Sequence, residues 1–309
     1  MNSRKVAILV ALILCVFAIS RVEACSVCRC GDNAFQFSDR GFALADQSET
    51  HRFGLNFDNI LSSKSAALSG DEGPGTERQR EIRPSIRISY SILENLSFAL
   101  DTPFQMRRIT TSRFDGISRD KSSGLGDMEL SSVWMQNIWS NDGTFYSAGI
   151  SMALKLPTGD NKITAAGERI DEHLQAGTGA FDWQLGTALS RVTCASRYFT
   201  SLYYRRNGTN DFKYHYGNAM LFNFGGQWPI TDRLAGVVQI NGRYAARDLD
   251  NKIETDNTGG WVTYITPGLR IFITDLVAIS SYVQIPAYQK LYGNQSEKTV
   301  IKAGLSFQL

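Results

Sequence analysis

EIRPSIRISYSI, residues 81–92, alternates without a break. Ile82, Pro84, Ile86, Ile88, Tyr90 and Ile92 fall on one side of an extended chain, and Arg83, Ser85, Arg87, Ser89 and Ser91 fall on the other. Successive side chains of a strand point to opposite faces, so one face here suits hydrocarbon and the other carries charge. The pattern returns in TFYSAGISMALKL (144–156) and in KTVIKAGLSFQL (298–309). Twelve such segments run along the chain, near 49–60, 81–92, 96–109, 124–139, 144–157, 176–193, 197–206, 215–228, 233–248, 259–273, 277–290 and 298–309.

The connections alternate in length. Five are tight, at 93–95, 140–143, 194–196, 229–232 and 274–276, and the six between them are longer and rich in Gly, Asn, Asp, Ser, Lys and Arg. Short turns on one side and long polar loops on the other mark an outer-membrane barrel with its short turns in the periplasm. The segments reach the roughly 9–11 residues that a tilted membrane strand needs, whereas soluble sandwich strands average nearer 5–6. Hydrocarbon leaves an open sheet edge unpaired, so the strands must close on themselves. The expected fold is all-β, a closed antiparallel transmembrane barrel of about twelve strands over residues 49–309. Phe53, Phe57, Tyr90, Trp134, Trp139, Tyr146, Trp228, Tyr244, Trp261 and Tyr264 are read as interfacial girdles.

Residues 1–24 have the layout of a secretory signal peptide: Arg4 and Lys5, an apolar run from Val6 to Ile19, and a small-residue end at Ala24. That run is shorter than the roughly 20 residues of a spanning helix. Export and barrel together place the chain in the bacterial outer membrane. Residues 25–48 then form a Cys-rich N-terminal segment on the periplasmic side, a tether or a small plug.

Several stretches resemble the phenol-degradation (MetA-pathway) family of outer-membrane transporter-like barrels. They are SYSILENLSFALDTPF (89–104), LKLPTGD (154–160), AGTGAFDWQLGTALSR (176–191), WPITDRLAGVVQINGRY (228–244) and PGLRIFITDLVAISSYVQIPAY (267–288). The resemblance implies a barrel at the outer membrane with a channel or transporter role, and the phenol of the family name is not carried over as a substrate. The last strand, with Phe307 and Leu309 on its apolar face, resembles the terminal signal by which such barrels are assembled. In LKLPTGD, Pro157 ends regular pairing and Gly159 permits a turn. The loop that follows, 158–175, is a candidate for folding inward as a constriction.

With the apolar face toward lipid, parity assigns Arg52, Arg83, Arg87, Arg107, Lys155, Arg197, Arg205, Arg243, Arg270 and Lys302 to the lumen, against Asp58, Asp101, Asp127, Glu129 and Asp182. That interior leans basic, which suits small anions or polar organic acids. Side chains that pair and fill the lumen are the alternative. The near-balanced total charge of +2 gives no case for nucleic acid. None of His51, His173 and His215 stands next to a Ser or Cys nucleophile or at zinc-ligand spacing, so the chain does not read as an enzyme.

Cys25, Cys28 and Cys30 form C-x-x-C-x-C, and Cys194 falls in a short turn on the same periplasmic side. Three readings stay open: disulfides in an oxidising compartment, a soft metal held by thiolates, or lipid on Cys25. Arg29 follows the second cysteine where c-type haem attachment requires His. The leading expectation is a channel for small solutes, anionic or aromatic. The alternative is a barrel that docks a periplasmic metal or redox partner through the cysteines.

Overall fold

A computed structural model describes residues 53–68, 75–114, 116–165 and 167–309. Twelve staves close into one antiparallel barrel. They are β1 (Phe53–Leu68), β2 (Gly75–Leu93), β3 (Leu96–Arg113), β4 (in two pieces, Gly116–Leu125 and Glu129–Asn141), β5 (Thr144–Lys155) and β6 (Asp182–Val192). The second half comprises β7 (Arg197–Arg206), β8 (Ala219–Thr231), β9 (Leu234–Ala245), β10 (Gly260–Phe272), β11 (Val277–Leu291) and β12 (Val300–Gln308, prolonged outward by Gln295–Glu297). Each stave pairs with its neighbours in sequence, and β12 returns to β1 from Gly54↔Gln308 to Leu61↔Ile301. Phe53 and Leu309 seal the seam, each donating its N–H to the other's carbonyl, at 2.9 and 2.8 Å. Closure follows from the solvent, because no water in the bilayer core could satisfy a free edge.

The turn between β4 and β5 shows why the short connections can be so short. Asp142 and Gly143 hold positive φ of 45° and 73° between the paired Asn141 and Thr144. A two-residue turn with both central residues left-handed matches the twist of the flanking strands.

The outward face is a band of Ile, Leu, Val and Phe between two aromatic rows. Trp139 with Tyr146 (ring centroids 4.8 Å apart) and Tyr198 with Trp228 (5.7 Å) lie toward the short turns. Trp183 with Tyr204 (6.0 Å) and Tyr244 with Trp261 (6.3 Å) lie toward the long loops. Amphipathic rings at two levels mark the headgroup layers. Tyr264 does not belong to these girdles: it is 3% exposed and faces inward, one residue out of phase with the outward Ile265.

Two hairpins are taller than the sequence reading expects. The β1–β2 ladder runs on to Leu68↔Gly75, and the β3–β4 ladder to Arg113↔Gly116, through stretches read as loops at 61–80 and 110–123. Above the lipid both faces of a strand meet water, so Arg78, Arg80, Arg108 and Lys121 stand outward and exposed. The apolar alternation is lost there while the backbone pairing continues. In the other direction, 176–181 belongs to a loop rather than to β6, with Gly179 at φ +70°.

Candidate functional site: a polar lumen and an inserted loop

The inward side chains of β2 to β6 build a charged arch. Arg87, Asp101, Glu129, Lys155 and Asp182 follow one another along a single row of paired residues from β2 to β6. Arg87 donates from Nε and Nη2 to Asp101 Oδ2 at 3.0 and 2.7 Å. Arg205 on β7 reaches past β5 and β6 to Glu129, Nη2 to Oε2 3.2 Å. Lys155 lies between Asp182 and Asp127, the latter at 3.2 Å. Nearer the outer end Glu81 takes Arg107 at 3.5 Å and Arg83 at 3.9 Å. Lys302 pairs with Asp58 at 3.3 Å, and Arg243 spans β10 and β11 to Glu297. Buried charges require such partners, since an isolated one costs several kcal/mol.

Arg83, Arg87, Arg107, Lys155, Arg205, Arg243, Arg270, Lys302, Asp101, Asp127, Glu129 and Asp182 are all buried. Arg52 lies outside the described residues. Two further buried carboxylates, Glu81 and Glu297, join them without a clear signal in sequence. Glu81 has inward parity at the edge of a segment, and Glu297 sits in what reads as a loop, where no periodicity marks it. With these two in place Arg107 and Arg243 have acid beside them as Arg87, Lys155, Arg205 and Lys302 do, while Arg270 lies over the Phe272 ring, so the excess of base seen in sequence is reduced. Removing one acid should restore it: Glu297→Gln, which leaves Arg243 charged, is expected to shift the reversal potential in a KCl gradient toward chloride.

The inward face from β7 to β11 is built differently. Asn223 donates to Ser201 Oγ at 3.1 Å, Asn241 to Asn223 Oδ1 at 2.8 Å, and Thr266 to Asn241 Oδ1 at 2.5 Å. Aromatic rings cover three of the glycines on neighbouring strands. Tyr203 covers Gly186, Phe199 covers Gly225 and Tyr282 covers Gly268, and a Cβ at those glycines would approach the rings to 1.9, 2.8 and 2.3 Å. The wall from β2 to β6 thus carries the charged arch, whereas the wall from β7 to β11 sets amides and rings among Arg205, Arg243 and Arg270.

The connection from β5 to β6, residues 156–181, turns inward. It carries a small hairpin (Thr164–Ala165 with Glu168–Arg169) and a 3-10 turn, Glu172–Leu174, capped by the Asp171 carboxylate, which accepts from His173 N–H at 2.8 Å. Leu174, Gln175 and Ala176 are buried. The wall holds this segment through its backbone: Arg107 Nη1 donates to the carbonyls of His173 and Gln175 at 3.1 and 2.6 Å, and Gln79 to that of His173 at 3.3 Å.

Asp127 anchors the base of the loop. Its carboxylate accepts from Gly159 N–H (3.0 Å), Thr178 N–H (2.8 Å) and Thr178 Oγ1 (2.6 Å), besides pairing with Lys155. Three glycines let the backbones meet there. A Cβ at Gly177 would lie 2.2 Å from the Gly159 carbonyl oxygen, and one at Gly159 would lie 2.7 Å from Gly126 C and Gly177 Cα. The stretches LGD (125–127), LKLPTGD (154–160) and AGTG (176–179) therefore converge on one carboxylate.

Asp127 sits in the gap between the two pieces of β4, where Gly126 donates to the carbonyl of Pro103 at 2.8 Å. Pro103 and Pro84, on adjacent strands, have no N–H for the ladder. On the lipid side of this part of the wall is a hollow of about 670 Å³ bordered by Phe57, Pro84, Ile86, Phe104, Leu125 and Leu305.

Two further outer loops brace the inserted one. Asn210 donates to Glu172 Oε1 at 2.6 Å and to the Thr178 carbonyl at 3.0 Å, and Tyr216 OH donates to the Glu172 carbonyl at 3.1 Å. Tyr214 OH donates to Asp248 Oδ2 at 2.9 Å and lies 3.2 Å from His173 Nε2. His173 and His215 are each partly buried in this cap. Cys194 is exposed in the turn between β6 and β7, and Cys25, Cys28 and Cys30 lie outside the described residues.

No family model matches the chain, and no curated protein does. Solved structures do resemble it. An outer membrane channel from Pseudomonas putida F1 is 11% identical with a TM-score of 0.63, over 84% of this chain and 96% of that one. The NanC porin is 11% identical with a TM-score of 0.46, over 82% of this chain and 100% of that one. The transport unit of the autotransporter AIDA-I from Escherichia coli is 8% identical with a TM-score of 0.47, over 88% and 97%. At such identities the likeness is one of fold. The chain is a twelve-strand β-barrel of the bacterial outer membrane.

Proposed function

We propose that the chain is a channel for small polar solutes, with a path through the barrel that the inserted loop narrows at its outer end. The observation that carries this reading is the anchoring of residues 156–181 at Asp127. Three hydrogen bonds and three close-packed glycines hold a surface loop inside the mouth, an arrangement that shapes a passage and that barrel closure alone does not require. The fold likeness to a protein described as an outer membrane channel supports it. In this reading the chain is a conduit and not an enzyme.

The pairing of base with acid along the arch bears on the solute class. Ion selectivity in a pore follows the net charge of its lining. With Glu81 and Glu297 offsetting Arg107 and Arg243, the lining favours weak selectivity, and the anion preference read from sequence gives way to uncharged and zwitterionic solutes. Liposome swelling tests this directly. Proteoliposomes should swell in small neutral sugars and amino acids, and more slowly as solute size rises; no swelling with any of them would overturn the reading. Docking of a metal or redox partner would depend on Cys25, Cys28 and Cys30, and nothing in the described barrel favours it.

A further inference from the structure

The outer aromatic row has a break in it. Trp183 with Tyr204 and Tyr244 with Trp261 mark that level on β6, β7, β9 and β10. The outer stretches of β2, β3 and β4 read GTERQREI (75–82), MRRITTSR (106–113) and GISRDKSS (116–123), without a ring among them. Base stands there instead. Arg80 pairs with Arg108 and Arg108 with Lys121, one row of outward, exposed cations directly above the apolar Ile82 and Met106. Arg78 and Arg119 flank Thr110 in the next row up, outward as well.

Nothing on that face balances them. The outward positions of these three stretches hold base, apolar and hydroxyl side chains, and none holds Asp or Glu. Arg108, Arg119 and Lys121 make no ion pair with a carboxylate among the described residues. Like charges directly opposite on neighbouring strands repel, so a row of this kind favours an anion laid across it.

The wall beneath supplies an apolar counterpart. The hollow of about 670 Å³ on the lipid side is bordered by Pro84, Phe104 and Leu125, on the same three staves. Each lies four residues along its strand from Arg80, Arg108 or Lys121. That is about 13 Å of extended chain at 3.3 Å per residue. Phe57 and Leu305 carry the hollow on to β1 and β12. A soluble anion would use the cations alone, whereas a lipid with an anionic head and acyl chains meets both parts.

We propose that the outward face of β2 to β4 binds one phosphorylated, multiply acylated lipid of the outer leaflet, of the lipid A class. Its phosphates lie across Arg80, Arg108 and Lys121, with Arg78 and Arg119 above them, and an acyl chain fills the hollow. Arginine suits the task because one guanidinium donates two parallel N–H groups to a phosphate.

Native mass spectrometry of the folded full chain in detergent, with purified bis-phosphorylated lipid A added, tests the site. Heat-modifiable migration first shows each variant to be folded. The wild-type barrel is expected to retain one lipid A molecule, and to retain dephosphorylated lipid A or inorganic pyrophosphate at least about tenfold less. Arg108→Ser with Lys121→Ser should lower lipid A retention at least about tenfold. Ala303→Trp, which puts a ring into the hollow from β12, should lower it several-fold with every cation in place. Arg206→Ser with Lys290→Ser removes as much exposed charge from β7 and β11 and should leave retention unchanged. A wild-type barrel that keeps no lipid A, or a site variant that keeps as much as wild type, would overturn the proposal. So would an equal loss in the Arg206 and Lys290 variant, which would mean a diffuse charge effect. Equal retention of the dephosphorylated lipid or of pyrophosphate would remove the phosphates or the chains from the account and overturn it as well. Retention is read without current, so its outcome is separate from that of the channel reading.

Discussion

Asp127→Ala is expected to raise single-channel conductance several-fold and to lower the unfolding midpoint of the barrel. The carboxylate holds both ends of the inserted loop, through Gly159 before it and Thr178 after it. Its side chain is fully buried, so nothing else reaches those N–H groups once it is gone. Removing one member of a buried, hydrogen-bonded charge pair costs about 3–5 kcal/mol. Lys155 keeps Asp182, which places the loss toward the lower end of that range. The base of the loop would then keep its Lys155–Thr178 and Met128–Thr158 hydrogen bonds to the wall, while Arg107 and Asn210 still hold its inner part. Asp127→Asn should give a smaller effect in both measurements, because an amide oxygen can accept one of the N–H groups but cannot pair with Lys155. Conductance in planar bilayers and loss of heat-modifiable migration read the two effects separately. Lost stability at unchanged conductance would mean that the loop is a brace and not a constriction.

Ile150→Arg should destabilise the barrel by about 2–4 kcal/mol, the cost of arginine on a lipid face at the bilayer midplane. Ile150 is halfway along β5, outward and 53% exposed, between Trp134 and Thr187 on the neighbouring staves. Ile117→Arg makes the same chemical change at a residue that is 64% exposed, in the hairpin that stands above the membrane. There the guanidinium stays in water and the change should be close to neutral. Refolding into lipid vesicles under a urea series measures both. Equal effects at the two positions would contradict the assignment of outward face and membrane level together.

The barrel is legible in sequence because lipid enforces the alternation residue by residue. Ile82 to Ile92 cannot trade places with Arg83 to Ser91 without burying guanidinium in hydrocarbon. The short turns are legible for a related reason: Asp142-Gly143 supplies the positive φ that a two-residue connection demands. Outside the lipid that pressure lapses, and the continued pairing of Lys64 with Gln79 and of Arg108 with Lys121 leaves no periodic trace.

The lumen is partly legible. Parity identifies Arg87 and Asp101, but Glu297 depends on how the end of β12 is placed, which no local pattern states. The resemblance block LKLPTGD marks the loop and its inward turn. That it meets Asp127 cannot be read, because the contact joins residues 51 positions apart through backbone N–H groups that carry no side-chain signature.

The most direct test of the central claim is a planar-bilayer recording of the purified wild-type barrel. Discrete current steps, ohmic over low voltage and with a reversal potential near zero in a KCl gradient, are the expected result. A membrane that stays silent with folded, inserted wild-type protein, and stays silent again with Asp127→Ala, would contradict it.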